Sequence, residues 1–529
     1  MSLLLAVSAH AAPGDLDTTF GAPNGFVLTG QLGENLGGGR VLVDPSGRIV
    51  VLGGVNGAQA FIMLRYLPSG ALDHDFNGSG MNTQSLTGAT ESSGIAMLRE
   101  PAGQLLLGGY AASSSDRQFM LARFTDAGAL DSTFGPTGSP PGTVKTDVPV
   151  SNDERITGVG LLSSGKIAVV GSAQVAGFEY MRYTDTGGVD LGPTLVNFTG
   201  VTSYLPTSMI VAPGDKVLVG GSASVGATRE FFVARLLSDG TPDTTFGTGG
   251  ITTFNIGDLG GNDNANAIAL QPDGGVVMAG SADVNLTPHV AVARVTSGGS
   301  LDPSFGYQGV TELFPGSAKS EGEAVALQPN GKVLVAGVAN VIGEGSGDFT
   351  LMRLNSNGAP DPTFGSGGVA VHSLVAGGDV AQGLALQPDG NVVLAGTAFG
   401  TPVDVAVARF VGGEVAVKGT PPPPGDTTKP KISKLKLLTK RLRATLKVRV
   451  HMSEASKVTI KVVLRKRKLA AKTVRFTKAQ TKTIKIKLRH RAFARLAKLR
   501  RPAIKLTVTA TDLAGNKAKR RTLSARLRT

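Results

Sequence analysis

Apolar residues run along this chain in short bursts. Four to seven positions rich in Val, Ala, Leu and Ile are bounded each time by Gly, Pro, Asn or Asp. Runs of that length, punctuated that way, predict strands joined by tight turns. Residues 262–310 hold one cycle: the strand NANAIALQ, the turn QPDGG, the strands VVMAG and HVAVARV, the turn LDPSFG, and a last strand GVTELF. Hairpin connections at this spacing predict a four-stranded antiparallel sheet.

The cycle recurs. An Asp-x-Thr/Ser-Phe-Gly turn surrounds Asp17, Asp131, Asp243, Asp302 and Asp361, with a variant at Asp73 and a decayed copy at Asp190. A turn glycine stands at Gly47, Gly103, Gly165, Gly214, Gly274, Gly331 and Gly390, and an arginine ends an apolar run at Arg65, Arg123, Arg182, Arg235, Arg294, Arg353 and Arg409. Four strands repeated seven times predict the blades of a β-propeller. The last unit stops after Arg409-Phe410 without an outer strand, whereas residues 16–29 carry a spare copy of the turn and strand. The N-terminal strand is therefore expected to complete the last blade and close the ring, which removes an open sheet edge. The expected fold class is all-β: a seven-bladed propeller over 14–418, then a small β-sandwich.

The segments FTLMRLNSNGAPDPTFGSGG (349–368) and ALQPNGKVLVAG (326–337) resemble the delta-60 repeat of bacterial proteins, and the resemblance covers 15–411. It implies the propeller-like fold and carries no assigned reaction.

Within the units, Arg and Asp stand eight residues apart: Arg65 and Asp73, Arg123 and Asp131, Arg182 and Asp190, Arg235 and Asp243, Arg294 and Asp302, Arg353 and Asp361. A seventh pair, Arg409 with Asp17, would form only on ring closure. Arginine presents a fixed fork of donors and an Asp can cap its own turn. The expected role is a structural clasp; the other reading is a ring of ligands. The Phe after each turn is expected to plug the space between blades.

Propeller ligands are expected at the loops leading into the innermost strands. Those strands read as small and apolar, with no catalytic-looking polar cluster. The loops carry Glu34, Glu91, Asp153, Asp263, Glu321 and Asp379. They read as an acidic rim for a cation or a basic segment, or as solvated loop charge. The six His form no ligand pair, and zero Cys excludes disulfides and thiolate chemistry. There is no calcium-loop motif, P-loop or GxSxG nucleophile. The expectation is no catalytic residue, no metal, no cofactor and no enzyme activity.

Charge changes the picture most. The whole chain carries a formal +14, but residues 426–529 hold 34 Lys+Arg against 3 acids, a net of +31, and the first 425 residues hold 19 against 36, a net of −17. A Pro-rich linker at 419–430 separates the two. Beyond it, apolar and basic residues alternate with period two, predicting half-buried strands with one charged face. DTTKP and TATDLAGN resemble bacterial immunoglobulin-like surface modules, which implies an Ig-like sandwich at 431–529; RAFARLAKLR (491–500) fits a short basic helix. The basic face comprises Arg441, Arg443, Lys447, Arg449, Lys457, Lys461, Lys485 and Lys487. It reads either as edge protection or as adhesion to an anionic cell-envelope polymer, a lipid surface or nucleic acid without sequence specificity. Residues 1–11 read as a truncated signal peptide, or else as a frayed apolar terminus. No apolar run is long enough to span a bilayer as a helix.

Together these features predict a secreted or cell-surface bacterial interaction scaffold. The propeller would present a surface to an unknown protein or glycan, and the basic domain would hold the envelope. The alternatives are a propeller hydrolase or lyase with a channel-mouth active site, and an intracellular sequence-independent nucleic-acid binder.

Overall fold

The computed structural model describes residues 11–30, 35–56, 60–86, 88–113, 116–148, 153–172, 177–257, 261–340, 347–413, 431–439, 445–452, 456–464, 467–476, 480–488, 503–512 and 521–526. The predicted helix at 491–500, the linker, Glu34, Arg441 and Arg443 lie outside them. Among the described residues the structure is all-β, and no helix is long and apolar enough to cross a membrane. The chain divides into two compact units, Met1–Ala416 and Val417–Thr529.

Among the described residues the first unit holds seven four-stranded antiparallel sheets. Sheets 1 to 6 are each built in chain order, from the inner strands Asn35–Val43, Glu91–Arg99, Arg155–Leu161, Val201–Ala212, Asn264–Leu270 and Lys319–Leu327 outward. Sheet 7 takes three strands from 379–410, and its outer strand is Phe26–Thr29. That strand pairs antiparallel with Asp404–Phe410, Phe26 opposite Ala408 and Thr29 opposite Val405.

Each inner hairpin turns on the glycine singled out in the sequence. In sheet 1, Gly47 N–H donates to Asp44 O and Asp44 N–H donates to Arg48 O, both at 2.9 Å. The seven turn glycines have φ between 82° and 106°, the left-handed region in which a side chain is strained.

A second set of glycines answers to a different constraint. Every inner strand carries a β-bulge at an equivalent place, at Gly39, Ile95, Thr157, Thr207, Asn266, Glu323 or Gln382, between the flanking residues that remain in register, and the strand Val201–Ala212 has a second shift at Thr202. The bulge drives a carbonyl of the inner strand against the second strand. There stand Gly53, Gly109, Gly171, Gly221, Gly280, Gly337 and Gly396, where an added Cβ would come within 1.8–2.4 Å of that carbonyl oxygen.

Apolar side chains on both faces of each sheet pack against the sheets beside it. One cluster lies between each consecutive pair from sheets 1 and 2 to sheets 6 and 7. A further cluster joins Val51, Ile62 and Leu64 of sheet 1 to Val393, Val405 and Val407 of sheet 7. The turn residues Phe20, Phe76, Phe134, Phe246, Phe305 and Phe364 are fully buried within these layers.

The second unit has a three-stranded sheet (Ile432–Leu437, Thr445–Met452, Gln480–Lys487) and a four-stranded sheet (Arg467–Phe476, Ser456–Leu464, Ala503–Asp512, Arg521–Arg526). The two share one core, in which Leu446, Val448, Val450, Ile484 and Ile486 meet Val458, Ile460, Val462, Leu506 and Val508.

Candidate functional site

The eight-residue Arg–Asp spacing places each arginine at the end of a sheet's third strand and its aspartate at the head of the next turn. Asp73 N–H donates to Arg65 O at 2.8 Å, and the same backbone bond recurs at Asp131, Asp243, Asp302 and Asp361. The side chains then meet: Nε donates to Oδ2 at 2.7–2.8 Å in the pairs of Arg65, Arg123, Arg235, Arg294 and Arg353. The guanidinium lies 4.5–4.9 Å from the centroid of the Phe that follows. Its Nη1 reaches further, to a turn carbonyl of the next sheet: Arg65 to Asp126, Arg123 to Asp185, Arg235 to Ser297, Arg294 to Ser356 and Arg353 to Gly412. Arg182 pairs with Asp190 and bonds Ser238 O, although the decayed turn runs straight into the strand Val189–Val196. Arg409 of sheet 7 forms an ion pair with Asp17 at 2.9 Å and donates to Pro68 O of sheet 1 at 2.5 Å. All seven arginines are therefore committed to protein partners, which leaves this set no free fork for a ligand.

The acids of the expected rim fall into three classes. Asp263 and Asp379 are fully buried. Asp263 Oδ2 accepts from Ile256 N–H at 2.6 Å, and Asp379 Oδ2 accepts from Leu374 N–H at 2.8 Å. Both fasten the loop that precedes them. Glu321 is ion-paired with Lys319 at 2.9 Å. Glu91 and Asp153 are drawn together by Arg117, at 3.1 and 2.8 Å. Arg155 adds two bonds to Asp153, and Tyr110 donates its hydroxyl to Glu91. The Tyr110 bond is the main reason the Glu91 carboxyl is held below its usual range. Burial works against the charge on Asp153, yet Arg155 and Arg117 hold its carboxyl down at about 2.

This junction of sheets 2 and 3 also contains the acid that sequence reasoning missed. Asp263 and Asp379 stand eleven residues before their turn glycines, and Glu154 occupies the same place before Gly165. Aligned from the turn glycine, the column also holds Leu36, Ser92 and Ser320, with Tyr204 one residue nearer its glycine, and every member is buried. Strict register from the turn glycine falls on Glu154, one residue beyond the Asp153 of the expected rim. Ser320 and Tyr204 also bond the preceding loop: Ser320 accepts from Gly316 N–H at 3.0 Å, and the Tyr204 hydroxyl from Phe198 N–H at 2.8 Å. Glu154 is held less well: neither of its carboxylate oxygens completes a well-formed hydrogen bond, and the Val148 amide of the preceding loop draws on them only weakly. Instead, one oxygen each of Asp116, Asp147 and Glu154 lie within 4.8 Å of one another. Burial first, then the charges of Asp116 and Asp147, push the Glu154 carboxyl up to about 7; the Val148 amide offsets this only in part.

The inner strands, expected to be small and apolar, also carry a charged pair that joins two sheets. Arg40 of sheet 1 bonds Ile95 O at 3.0 Å and interacts with Glu323 of sheet 6, although sheet 7 lies between them in the order. Burial and Glu321 push Glu323 up to about 6, against the pull of Arg40.

In the second unit Lys447, Arg449, Lys461, Lys485 and Lys487 are exposed, while Lys457 lies on the strand Ser456–Leu464. Lys447 stands directly opposite Lys485 on neighbouring strands, and Lys436 opposite Arg449. The outer face of the three-stranded sheet is thus a patch of like charge over an apolar core.

A family model described as a domain of unknown function (DUF5122) β-propeller matches residues 45–76, 215–246, 271–305 and 328–364. No curated protein sequence matches the chain. Solved structures similar to it include a catalytically inactive virginiamycin B lyase from Staphylococcus aureus with quinupristin, at 11% identity, covering 72% of this chain and 98% of that one with a TM-score of 0.44. The polysaccharide lyase Uly1 is 8% identical, covering 70% and 89%, with a TM-score of 0.42. AofleA from Arthrobotrys oligospora is 9% identical, covering 66% and 90%, with a TM-score of 0.35. The repeated four-stranded sheets and the matched repeat segments make the first unit a propeller-type repeat.

Proposed function

We propose that this β-propeller repeat protein is an exported, non-enzymatic interaction scaffold. Residues 14–418 are a seven-bladed propeller closed by the N-terminal strand. Residues 431–529 are an immunoglobulin-like sandwich that adheres to an anionic cell-envelope polymer or lipid surface. Closure is supported by the pairing of Phe26–Thr29 with Asp404–Phe410, by the core between sheets 7 and 1, and by Arg40 meeting Glu323 across the intervening sheet. The sandwich is supported by two antiparallel sheets on one core, with the fifth strand returning to pair with the second.

The observation that carries the adhesive role is the Lys447–Lys485 cross-strand pair, flanked by the exposed Arg449 and Lys487. Like charges directly opposite one another destabilise a sheet, so an external anion that bridges them recovers stability on binding. Aromatics are scarce in 426–529, which favours charge-driven binding over base stacking. A hydrolase or lyase is the second reading, and the raised Glu154 is the observation that favours it. Its buried oxygens offer no face to a substrate, and the scaffold reading stands first.

Fractionating expressing bacterial cells and washing the envelope with salt tests the proposal. The protein is expected in the envelope fraction, released by high salt, and lost from it when 426–529 is deleted. Recovery of the full chain in the cytoplasm would sink the reading.

A further inference from the structure

In six of the seven sheets the buried residue eleven places before the turn glycine, or ten in sheet 4, is polar or carries a hydroxyl. Asp263, Asp379, Ser320 and Tyr204 each take backbone amides of the preceding loop. Sheet 3 alone places a glutamate there, and both of its oxygens are buried with no well-formed hydrogen bond, the Val148 amide acting on them only weakly. A buried carboxylate without a partner is costly, and two further carboxylates beside it add repulsion. Asp116 opens the third strand of sheet 2, Asp147 follows its outer strand and Glu154 precedes the inner strand of sheet 3. Asp147 is exposed, so the cluster opens to solvent on one side.

We infer that Asp116, Asp147 and Glu154 bind a single calcium ion. All three ligands are hard oxygens, with neither His nor Cys among them, which selects against zinc and copper. Separations of up to 4.8 Å suit an ion whose oxygen ligands stand at about 2.3–2.6 Å, and the irregular set suits the loose coordination of calcium better than the strict octahedron of magnesium. Water would fill the solvent side. Arg117 and Arg155 do not compete for these acids, because their guanidinium groups are held by Glu91 and Asp153. The ion would tie sheet 2 to sheet 3 where sheets 4 to 7 rely on a loop amide.

The test is calorimetric, on the full chain at neutral pH. Titration with calcium chloride is expected to saturate at one equivalent of ion. Calcium about a hundredfold above its dissociation constant is expected to raise the unfolding temperature of the propeller by about 3 °C. Glu154→Gln and, separately, the exposed Asp147→Asn should remove both effects. Glu154→Gln without calcium should melt at or above the wild type, because it removes an unpartnered charge, which shows that it folds. No saturable heat up to millimolar calcium, an unchanged response in both variants, or a stronger response to magnesium than to calcium would overturn the inference.

Discussion

Replacing Asp17 by alanine removes the carboxylate that holds the two ends of the propeller repeat together. Its Oδ2 pairs with Arg409 at 2.9 Å, and its Oδ1 accepts from Thr19 N–H at 3.0 Å and from the Thr19 hydroxyl at 2.7 Å. Thr19 in turn accepts from Arg409, 390 residues away in sequence. Arg409 is only 7% exposed, so water cannot readily replace the lost partner. Stranding a charge at this depth costs about 3 kcal/mol, towards the low end for a buried pair because Pro68 O and Thr19 remain as partners. Asp302→Ala is the control. Its pair with Arg294 sits within one sheet, and the Asp302 side chain is 24% exposed, so rehydration limits the loss to about 1–2 kcal/mol. At about 2 cal/mol/K per residue, a unit of this size loses roughly 1 °C per kcal/mol, so scanning calorimetry should separate the variants by about 1–2 °C. Hydrogen exchange should also quicken at the Phe26–Thr29 amides in Asp17→Ala and stay unchanged in Asp302→Ala. Equal losses of melting temperature, with equal exchange at that strand, would refute the special role of Asp17 in joining the ends.

Three further outcomes follow from the geometry. Gly337→Ala would place a Cβ 1.9 Å from Glu321 O and is expected to cost several kcal/mol, whereas at Gly54 nothing lies within 4 Å and Gly54→Ala should be close to neutral; urea denaturation of the two variants checks this. Burial opposes the charge of Asp17, Asp131, Asp243 and Asp361 in part, but Lys216 on Asp243, Lys332 on Asp361, and bonds from the neighbouring Thr and Arg at all four hold these carboxyls below their usual range, and the Ser304 bonds lead the same lowering at Asp302. A depressed folded pKa contributes stability above the unfolded value, so these five should cost the propeller melting temperature progressively as pH falls below about 4; a scan from pH 4 to pH 2 that rises on acidification would contradict this. Phe305→Ala empties a fully buried site between sheets 5 and 6 and should cost about 3–5 kcal/mol in the same denaturation assay.

The parts of the molecule that were legible in the sequence are those with local causes. A turn that needs positive φ selects glycine, and the seven turn glycines mark the seven inner hairpins. Arg and Asp eight residues apart are fixed by one strand end and one turn, so the spacing tolerates no insertion. The period-two alternation of 445–452 reports a sheet with one face in a core: Leu446, Val448, Val450 and Met452 are buried, and Lys447 and Arg449 are exposed. What stayed hidden depends on contacts between units. The inner-strand bulges leave no periodic trace, although they are why glycine recurs in the second strand. Asp116, Asp147 and Glu154 are joined by the packing of sheet 3 on sheet 2, and no local spacing connects them. Arg40 and Glu323 meet only because distant inner strands converge. The acids of the expected rim stand at drifting spacings, and in the structure its described members separate into buried loop fasteners and surface ion pairs.

The central claim is that the basic unit holds a polyanion by charge. Binding of the full chain to long-chain polyphosphate, measured across a salt series, tests it most directly. The account predicts a steep fall of log K with log salt, of about −0.7 for each phosphate neutralised. The double charge reversal Lys447→Glu with Lys485→Glu should weaken binding and flatten that slope by about 1–2. An affinity and slope untouched by the reversal, or equal binding by residues 1–425 alone, would contradict it.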